Sequence, residues 1–384
     1  MLRSRPCVMR NSLRTTAPLP RIVPLDSLAR VTTWDPAPFR DQVQQVLDAF
    51  LDEQEAELAP LGPDAGRLVD EARTAVRGGK RFRAAFCHWG HRAIRPEPAD
   101  PAALARACAA LEMLHASALV HDDFMDASET RRGRPATHTA YAARHREQGW
   151  SGSPEQYGAA AAILLGDLLL SWSDELLRRS GLPHDRVRDA LTVFDHTRSE
   201  VIAGQFLDVS AQARGESDVD MAMTVLRYKS AKYSVERPLH LGATLAGASP
   251  DVLAALTSFG LPLGEAFQLR DDLLGVFGDP EVTGKPAGDD LTEGKRTVLV
   301  ALALAAADPA DAKRLEDGLG RPLTDDEVAD LRRIIESTGA AQDVERRIDD
   351  LTTSALRALD EAPVSDVARS ALRDLADAAT QRAH

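Results

Sequence analysis

Two acidic clusters are the residues of this chain best suited to do chemistry. Residues 122–126 read Asp-Asp-Phe-Met-Asp, and Asp271-Asp272 form the second cluster, each in an apolar stretch typical of a helix. Side chains four apart share one face of a helix, so Asp122 and Asp126 would repel each other unless a cation lay between them. Because Mg²⁺ takes oxygen ligands and commonly binds together with substrate phosphates, the clusters predict a magnesium site for a phosphorylated substrate.

The first cluster ends the most regular helix that the sequence predicts, Leu104–Met125, which is rich in Ala and Leu. The C-terminal end of a helix carries partial negative charge, so carboxylates placed there are unfavourable without a cation. This position strengthens the prediction of a bound metal ion.

Three basic groups accompany the acidic clusters. Lys80 and Arg83 lie three apart at the start of a predicted helix, where backbone amides favour an anion. Arg131 and Arg132 lie in a loop bounded by Gly and Pro, and lysines, acids and glycines alternate at 279–297. One such group alone is typical of a solvated surface, but three groups beside two acidic clusters predict a site for diphosphates.

The composition limits the class of protein. Hydrophobic residues make up 44% and aromatic residues 5% of the chain, and the abundance of Ala and Leu favours helices, so we expect an all-α protein. The formal net charge of -13 argues against a nucleic-acid or anionic-membrane partner. The three cysteines form no Cys-x-x-Cys pair, which favours a reducing cytoplasm. Apolar runs such as 159–165 fall short of the roughly 20 residues that span a bilayer, so we expect no integral membrane segment.

Helical periodicity begins near Asp41 and is interrupted by short breaks that contain Gly and Pro. These breaks leave room for about a dozen helices and no strand, and no internal repeat is evident. We therefore expect one helical domain over 36–384. Residues 1–35 are rich in Arg and Pro, and we predict that they form a disordered basic leader or result from a misassigned start.

These motifs, in this order, resemble those of the all-trans polyprenyl diphosphate synthase family, and bacterial geranylgeranyl diphosphate synthases in particular. The resemblance rests on Gly-Gly-Lys-x-x-Arg at 78–83, Arg-Arg-Gly at 131–133 and the two aspartate-rich motifs. It implies helices around a central active-site cavity, and a homodimer. It also implies a prenyl transfer from an allylic diphosphate to isopentenyl diphosphate that needs two to three Mg²⁺ ions, for which Mn²⁺ substitutes.

The resemblance implies a role for each matching residue. The residues that would bind metal are Asp122, Asp126 and Asp271, supported by Asp123 and Asp272. The residues that would hold the allylic diphosphate (dimethylallyl, geranyl or farnesyl) are Arg131, Lys229 and Lys285. Those that would hold isopentenyl diphosphate are Lys80, Arg83, His115 and Arg132. Those that would line the region where positive charge develops are Ser230, Gln205 and Gln268.

The second motif departs from the family pattern in one position. Gly275 stands where the family often has a third aspartate. We therefore expect this motif to depend mainly on Asp271.

Residues one or more turns before Asp122 predict the length of the product. One turn rises about 5.4 Å, close to the length of an isoprene unit. Ser117 and Ala118 are small where farnesyl-forming relatives commonly carry aromatic residues, and Met113 and Leu114 lie one turn deeper. We predict geranylgeranyl diphosphate, with farnesyl or longer diphosphates as alternatives, and expect Ser117→Phe to shorten the product. Residues of a neighbouring helix that could change this length are Ile202 and Phe206.

Two other functions fit the sequence less well. A non-catalytic subunit of a heteromeric synthase would have lost motif carboxylates, and all of them except the one at Gly275 are present. A class I terpene cyclase needs only one diphosphate site, whereas Lys80, Arg83 and Arg132 predict a second one.

Overall fold

The computed structural model describes residues 34–279 and 288–381, and both ranges are almost entirely helical. The predicted all-α class is confirmed, and the helices of these ranges outnumber the dozen expected. Residues 1–33 of the expected leader and Lys285 lie outside the described residues. Trp34, the first described residue, packs edge-on against Trp89 with 5.5 Å between the ring centroids, so it belongs to the folded domain.

The helices follow one another with short connections. In chain order they are α1 Ala37–Leu58, α2 Pro63–Val76, α3 Phe82–Ile94, α4 Pro101–Met125, α5 Thr137–Glu147, α6 Pro154–Arg178, α7 His184–Arg214, α8 Val219–Val225, α9 Arg237–Ala246, α10 Pro250–Phe277, α11 Asp289–Glu293, α12 Val298–Ala306, α13 Pro309–Gly318, α14 Asp325–Ser337, α15 Ala340–Glu361 and α16 Asp366–Thr380. A 3₁₀ turn at Ala59–Leu61 follows α1, and a π-helix at Leu226–Glu236 joins α8 to α9.

The loop after α4 contains a short hairpin that the sequence did not predict. Strand β1 (Thr130–Arg131) pairs antiparallel with β2 (Arg134–Pro135), so that Thr130 faces Pro135. Because the hairpin has only two residues in each strand, the all-α class is unaffected.

Capping residues explain why the long helices begin where they do. The side chains of Asp100, Ser153 and Ser249 each accept a hydrogen bond from the backbone N–H three residues later. A proline follows each of them at the first helical position, where its missing N–H costs nothing. The helix predicted from Leu104 therefore begins at Pro101, and it ends at Met125 as expected.

Helix α4 is the centre of the fold and is buried along most of its length. It packs closely on α6 because Gly166 has no side chain, and a Cβ there would overlap the ring of His121. A similar close approach joins α7 to the π-helix, since a Cβ at Gly204 would overlap the backbone of Lys229. These two contacts fix the helices that carry the predicted site.

Two helices of the described ranges are long and apolar enough to cross a membrane. They are α4 and α10, and 78% and 50% of their most apolar windows are buried inside the fold. This burial is what core helices require, and it explains their composition without a bilayer.

Candidate active site

A cavity of about 640 Å³ lies where α3, α4, α7, the π-helix, α10 and α11 meet. The predicted site residues that line it are Lys80, Arg83, His115, Ala118, Asp122, Arg131, Gln205, Lys229, Ser230, Gln268, Asp271 and Asp272. The fold thus brings Asp122 of the first acidic cluster, both residues of the second and most of the predicted basic residues to one cavity.

Asp122 interacts with groups from three other elements. Its carboxylate accepts a hydrogen bond from Gln205 Nε2 at 3.0 Å, and Lys229 Nζ and an Arg131 nitrogen lie 3.2 and 3.8 Å away. Burial alone would raise the pKa of Asp122, but Lys229, Lys295 and Arg131 lower it well below its usual range. The carboxylate is therefore ionised at any physiological pH.

Asp126 ends α4 with a side chain only 2% exposed. Within the described ranges neither of its carboxylate oxygens has a hydrogen-bond partner, and Lys295 Nζ pairs with it at 3.4 Å. Burial, and then the charge of Asp122, raise its pKa to about 6. A buried carboxylate without hydrogen bonds is unfavourable, and a divalent cation is the kind of ligand that would satisfy it.

The second acidic cluster reaches the cavity from α10. Burial raises the pKa of Asp272 to about 8, a hydrogen bond from Gln268 (2.9 Å) opposes this rise, and Asp290 and Asp271 add to it. Asp290 on α11 also lines the cavity, although no role was predicted for it from the sequence. With Asp271 and Asp289, four carboxylates therefore line this side of the cavity.

The structure explains the glycine in the second motif. A Cβ at Gly275 would overlap the carboxylate of Asp290, which therefore lies where a side chain at position 275 would begin. A carboxylate from α11 thus lies beside the position where the family often has a third aspartate on α10. Only the folded chain reveals this, because Asp290 lies fifteen positions after Gly275.

Lys295 is a second residue that sequence reasoning did not assign. Its Nζ lies 2.5 Å from Glu293, 3.4 Å from Asp126 and 3.6 Å from Asp290. Burial would lower its pKa, but the surrounding carboxylates raise it well above the usual value. The only signal in the sequence was its place in the Gly-Lys-Arg segment after the second motif.

The allylic-site prediction concerns Arg131, Lys229 and Lys285, of which the first two are described. Arg131 Nε donates to Asp123 at 2.7 Å, and Lys229 Nζ lies 2.6 Å from Asp208 on α7. Lys229 and Ser230 lie on the π-helix, a geometry that is frequent at functional sites. The side chains of Arg131 and Lys229 therefore both lie beside the first acidic cluster.

Arg83 and His115 lie around Tyr233, and Lys80 lines the same cavity. The Arg83 guanidinium lies 4.3 Å over the Tyr233 ring and donates to Ser234 Oγ at 2.8 Å, while His115 Nδ1 is 3.0 Å from the Tyr233 hydroxyl. Burial, and then the charge of Arg83, lower the pKa of His115 well below its usual value, so the ring is neutral. Tyr233 was not predicted from the sequence.

Arg132 lies beside Gly79, the residue before Lys80, where an added Cβ would come within 3.2 Å of its guanidinium. It donates to the backbone carbonyl of Arg77 at 2.8 Å and lines a smaller cavity of about 210 Å³, which shares Leu119 and Arg131 with the larger one. Its predicted contact with the diphosphate of isopentenyl diphosphate stays a prediction.

The four predicted chain-length residues have different surroundings. Ala118 lines the cavity, but Ser117 is 3% exposed and donates to the carbonyl of Gly166 at 2.7 Å, facing α6. Met113 and Leu114 are buried in the hydrophobic core. The geometry therefore does not support Ser117 as the residue that closes the cavity one turn before Asp122.

Ile202 and Phe206, which the sequence suggested as residues that change product length, lie on α7 but do not line the cavity. They are 57% and 71% exposed on the outer face of this helix. Val201 and Gln205 line the cavity instead.

Within the described ranges, no three acidic, histidine or cysteine side chains converge closely enough to form a metal site by themselves. This fits the way Mg²⁺ is usually bound, through one or two carboxylates together with substrate phosphates and water.

Comparisons with known proteins identify the family of this chain. Residues 67–337 match the family model described as polyprenyl synthetase. The chain is 35% identical to a short chain isoprenyl diphosphate synthase of Methanothermobacter thermautotrophicus, over 80% of this chain and 87% of that one. It is 31% identical to a geranylfarnesyl diphosphate synthase of Aeropyrum pernix, over 78% and 88%.

A solved structure is similar over almost the whole fold. It is a geranylgeranyl pyrophosphate synthase from Corynebacterium glutamicum, complexed with isoprenyl diphosphate and magnesium. It superposes with a TM-score of 0.89 at 41% identity and covers 91% of this chain and 100% of its own. The chain therefore belongs to the polyprenyl synthetase family and is a prenyltransferase.

Proposed function

We propose that this prenyltransferase is an all-trans geranylgeranyl diphosphate synthase that joins isopentenyl diphosphate to dimethylallyl, geranyl or farnesyl diphosphate. The main support is the presence of two separate cationic groups in one cavity. Lys229 and Arg131 lie at the first acidic cluster, whereas Arg83 lies over the ring of Tyr233 and Lys80 lines the same cavity. Two groups match two diphosphate substrates, whereas a terpene cyclase needs one.

Enzymes of this family generally depend on Mg²⁺. We assign Asp122, Asp126 and Asp271 as the residues that would hold two to three such ions, with Asp123 and Asp272 in support, and expect Mn²⁺ to substitute. The buried oxygens of Asp126 without hydrogen bonds and the carboxylates around Asp272 fit this assignment. When bound, the metal neutralises charge on the leaving diphosphate.

The side chains around the metal would prepare the allylic substrate for ionisation. Lys229 and Arg131 donate to its diphosphate, a role we extend to Lys285, and so stabilise the charge that develops as the allylic C–O bond breaks. Gln205, Gln268 and Ser230 turn polar groups toward the allylic cation.

The second substrate would be held beside this cation. Lys80 and Arg83 bind its diphosphate, and neutral His115, oriented by Tyr233, presents its other ring nitrogen to the same group. The double bond of isopentenyl diphosphate then attacks the allylic carbon and a new C–C bond forms. The resulting cation loses a proton to the departing diphosphate, so no nucleophilic side chain is needed.

The lining of the cavity supports a twenty-carbon product. One turn before Asp122 the wall consists of Ala118 and Leu119, and α7 contributes Val201. Among the described lining residues the only Phe, Tyr or Trp is Tyr233, whose ring lies under the Arg83 guanidinium. The space that an aromatic side chain at 118 would take is therefore open to the growing chain.

We also propose a homodimer in the cytoplasm. The exposed apolar side chains Ile163 and Leu164 on α6 and Ile202 and Phe206 on α7 would pack against a second copy, since such groups are normally covered. Cys87 and Cys108, the two cysteines within the described ranges, are buried and not in a disulfide, as expected in a reducing compartment.

The test is incubation of the purified protein with Mg²⁺, isopentenyl diphosphate and each allylic primer, followed by mass spectrometry. Accumulation of the twenty-carbon diphosphate from all three primers would support the proposal. A product that stops at fifteen carbons or passes twenty would contradict the product length. Elongation only after a partner protein is added would identify a non-catalytic subunit, and a cyclic hydrocarbon would identify a cyclase.

A further inference from the structure

Arg81 lies between Lys80 and Arg83 in sequence but points away from both cavities. Its side chain is 5% exposed. Its guanidinium donates to Glu112 Oε2 (3.1 Å) on α4, to Gln44 Oε1 (2.6 Å) on α1 and to the carbonyl of Val76 (2.5 Å), the last residue of α2. Arg81 thus binds groups of the protein itself, one on each of α1, α2 and α4.

The backbone of Arg81 also has an unusual conformation. Its φ is 57°, in the left-handed region that residues other than Gly and Asn adopt only at a cost. Arg81 is the N-cap of α3, and its carbonyl accepts the hydrogen bond from Ala85 that begins that helix. This turn at Arg81 sets the directions in which Lys80 and Arg83 leave the chain.

Glu112 connects the same turn to α4. One of its oxygens accepts from Arg81 and the other from the backbone N–H of Ala84 at 3.1 Å, and the side chain is 5% exposed. Glu112 lies three residues before His115, so the two share a face of α4. The pair therefore holds the turn carrying Lys80 and Arg83 against the helix that carries His115.

We infer that the Arg81–Glu112 ion pair is a positioning device for the diphosphate of the non-allylic substrate. It keeps the strained turn in place, so that Lys80 and Arg83 meet His115 before the ligand arrives, and it contacts no substrate itself. Donors that are already in place lose less conformational freedom when a ligand binds. The pair should therefore increase the affinity for one substrate, isopentenyl diphosphate. The inference rests on the proposed function, which assigns these three residues to isopentenyl diphosphate.

The test uses Glu112→Gln, which keeps an oxygen for Ala84 N–H and removes the charge opposite Arg81. Binding of isopentenyl diphosphate is measured by calorimetry in buffer with EDTA, and KM for both substrates with Mg²⁺. We expect at least about tenfold weaker binding and a similar rise in that KM, with the allylic KM and kcat changed by less than about threefold. Arg81→Lys keeps the positive charge but not the guanidinium that donates to three acceptors, so it should give the same changes in binding and KM. This second variant tests the inference if Glu112→Gln does not fold.

The matched control is Glu345→Gln. Glu345 on α15 pairs with the buried Arg270 at 2.5 and 2.7 Å, so the substitution weakens another ion pair of the fold. It should lower Tm without affecting isopentenyl diphosphate binding.

The outcomes distinguish a failure of the positioning role of the Arg81–Glu112 pair from a failure of the proposed function. The pair is only structural if the unaltered protein elongates an allylic primer and Glu112→Gln gives one of two results. Either the variant binds isopentenyl diphosphate no more weakly than the control does, or its binding of both substrates is weakened equally. If the unaltered protein does not bind isopentenyl diphosphate at all, the proposed function fails together with the inference.

Discussion

The buried carboxylate of Asp126 should lower the stability of the protein when no metal is bound. Asp126→Asn should therefore raise the free energy of unfolding of the metal-free protein. Burial and Asp122 raise the pKa of Asp126 from 3.8 to about 6, a shift of about 2 units that corresponds to about 3 kcal/mol at about 1.4 kcal/mol per unit. Its carboxyl group is buried, so little of this is lost to solvent screening. Asn fills the same space without the charge.

The sign of the effect follows from proton binding. Between about pH 4 and pH 6 the folded state binds more protons at Asp126 than the unfolded state, so its contribution to stability falls as the pH rises. Above about pH 6 the full penalty is present. We therefore expect Asp126→Asn to exceed the original protein in free energy of unfolding by about 3 kcal/mol at pH 8, and the difference to vanish near pH 4.

The assay is urea unfolding in buffer with EDTA at pH 8, 6 and 4. Exposed Asp350→Asn on α15 is the control and should change stability by less than about 0.5 kcal/mol. Addition of Mg²⁺ with inorganic diphosphate should then stabilise the original protein more than the variant, while synthase activity of the variant falls. An Asp126→Asn protein that is equally or less stable at pH 8 without metal would refute the reasoning.

Three further substitutions test the shape of the site. Ala118→Phe should shorten the product to fifteen carbons by mass spectrometry, because Ala118 lines the cavity, and an unchanged product would contradict that wall. Ser117→Phe should instead lower the free energy of unfolding by about 1–3 kcal/mol in urea titrations, because it must displace the α4–α6 contact at Gly166, and a shorter product in a fully stable variant would argue against this. Gly275→Ala should displace Asp290 and raise the Mg²⁺ concentration for half-maximal activity about tenfold, with Asp290→Asn as the comparison, and an unchanged requirement in both would show that Asp290 has no part at the metal.

The local pattern of the chain was sufficient to predict much of the fold. Capping residues and prolines bound the helices at Pro101, Pro154 and Pro250, and the interruptions at Gly and Pro agree with the observed connections. These features depend on neighbouring residues alone, so they can be seen without the tertiary structure. The two-residue strands β1 and β2 were missed because so short a pairing leaves no periodic pattern.

The amino-acid sequence by itself determined the helical class, the acidic clusters and most of the basic residues that the cavity brings together. It did so because helix formation and motif spacing are local properties. Only the tertiary structure decided which side of α4 and α7 faces the cavity, so that Ala118 and Val201 line it while Ser117 and Phe206 do not. It also decided that Asp290 fills the space beside Gly275, since such contacts depend on how distant helices pack, and the order of residues does not record that packing.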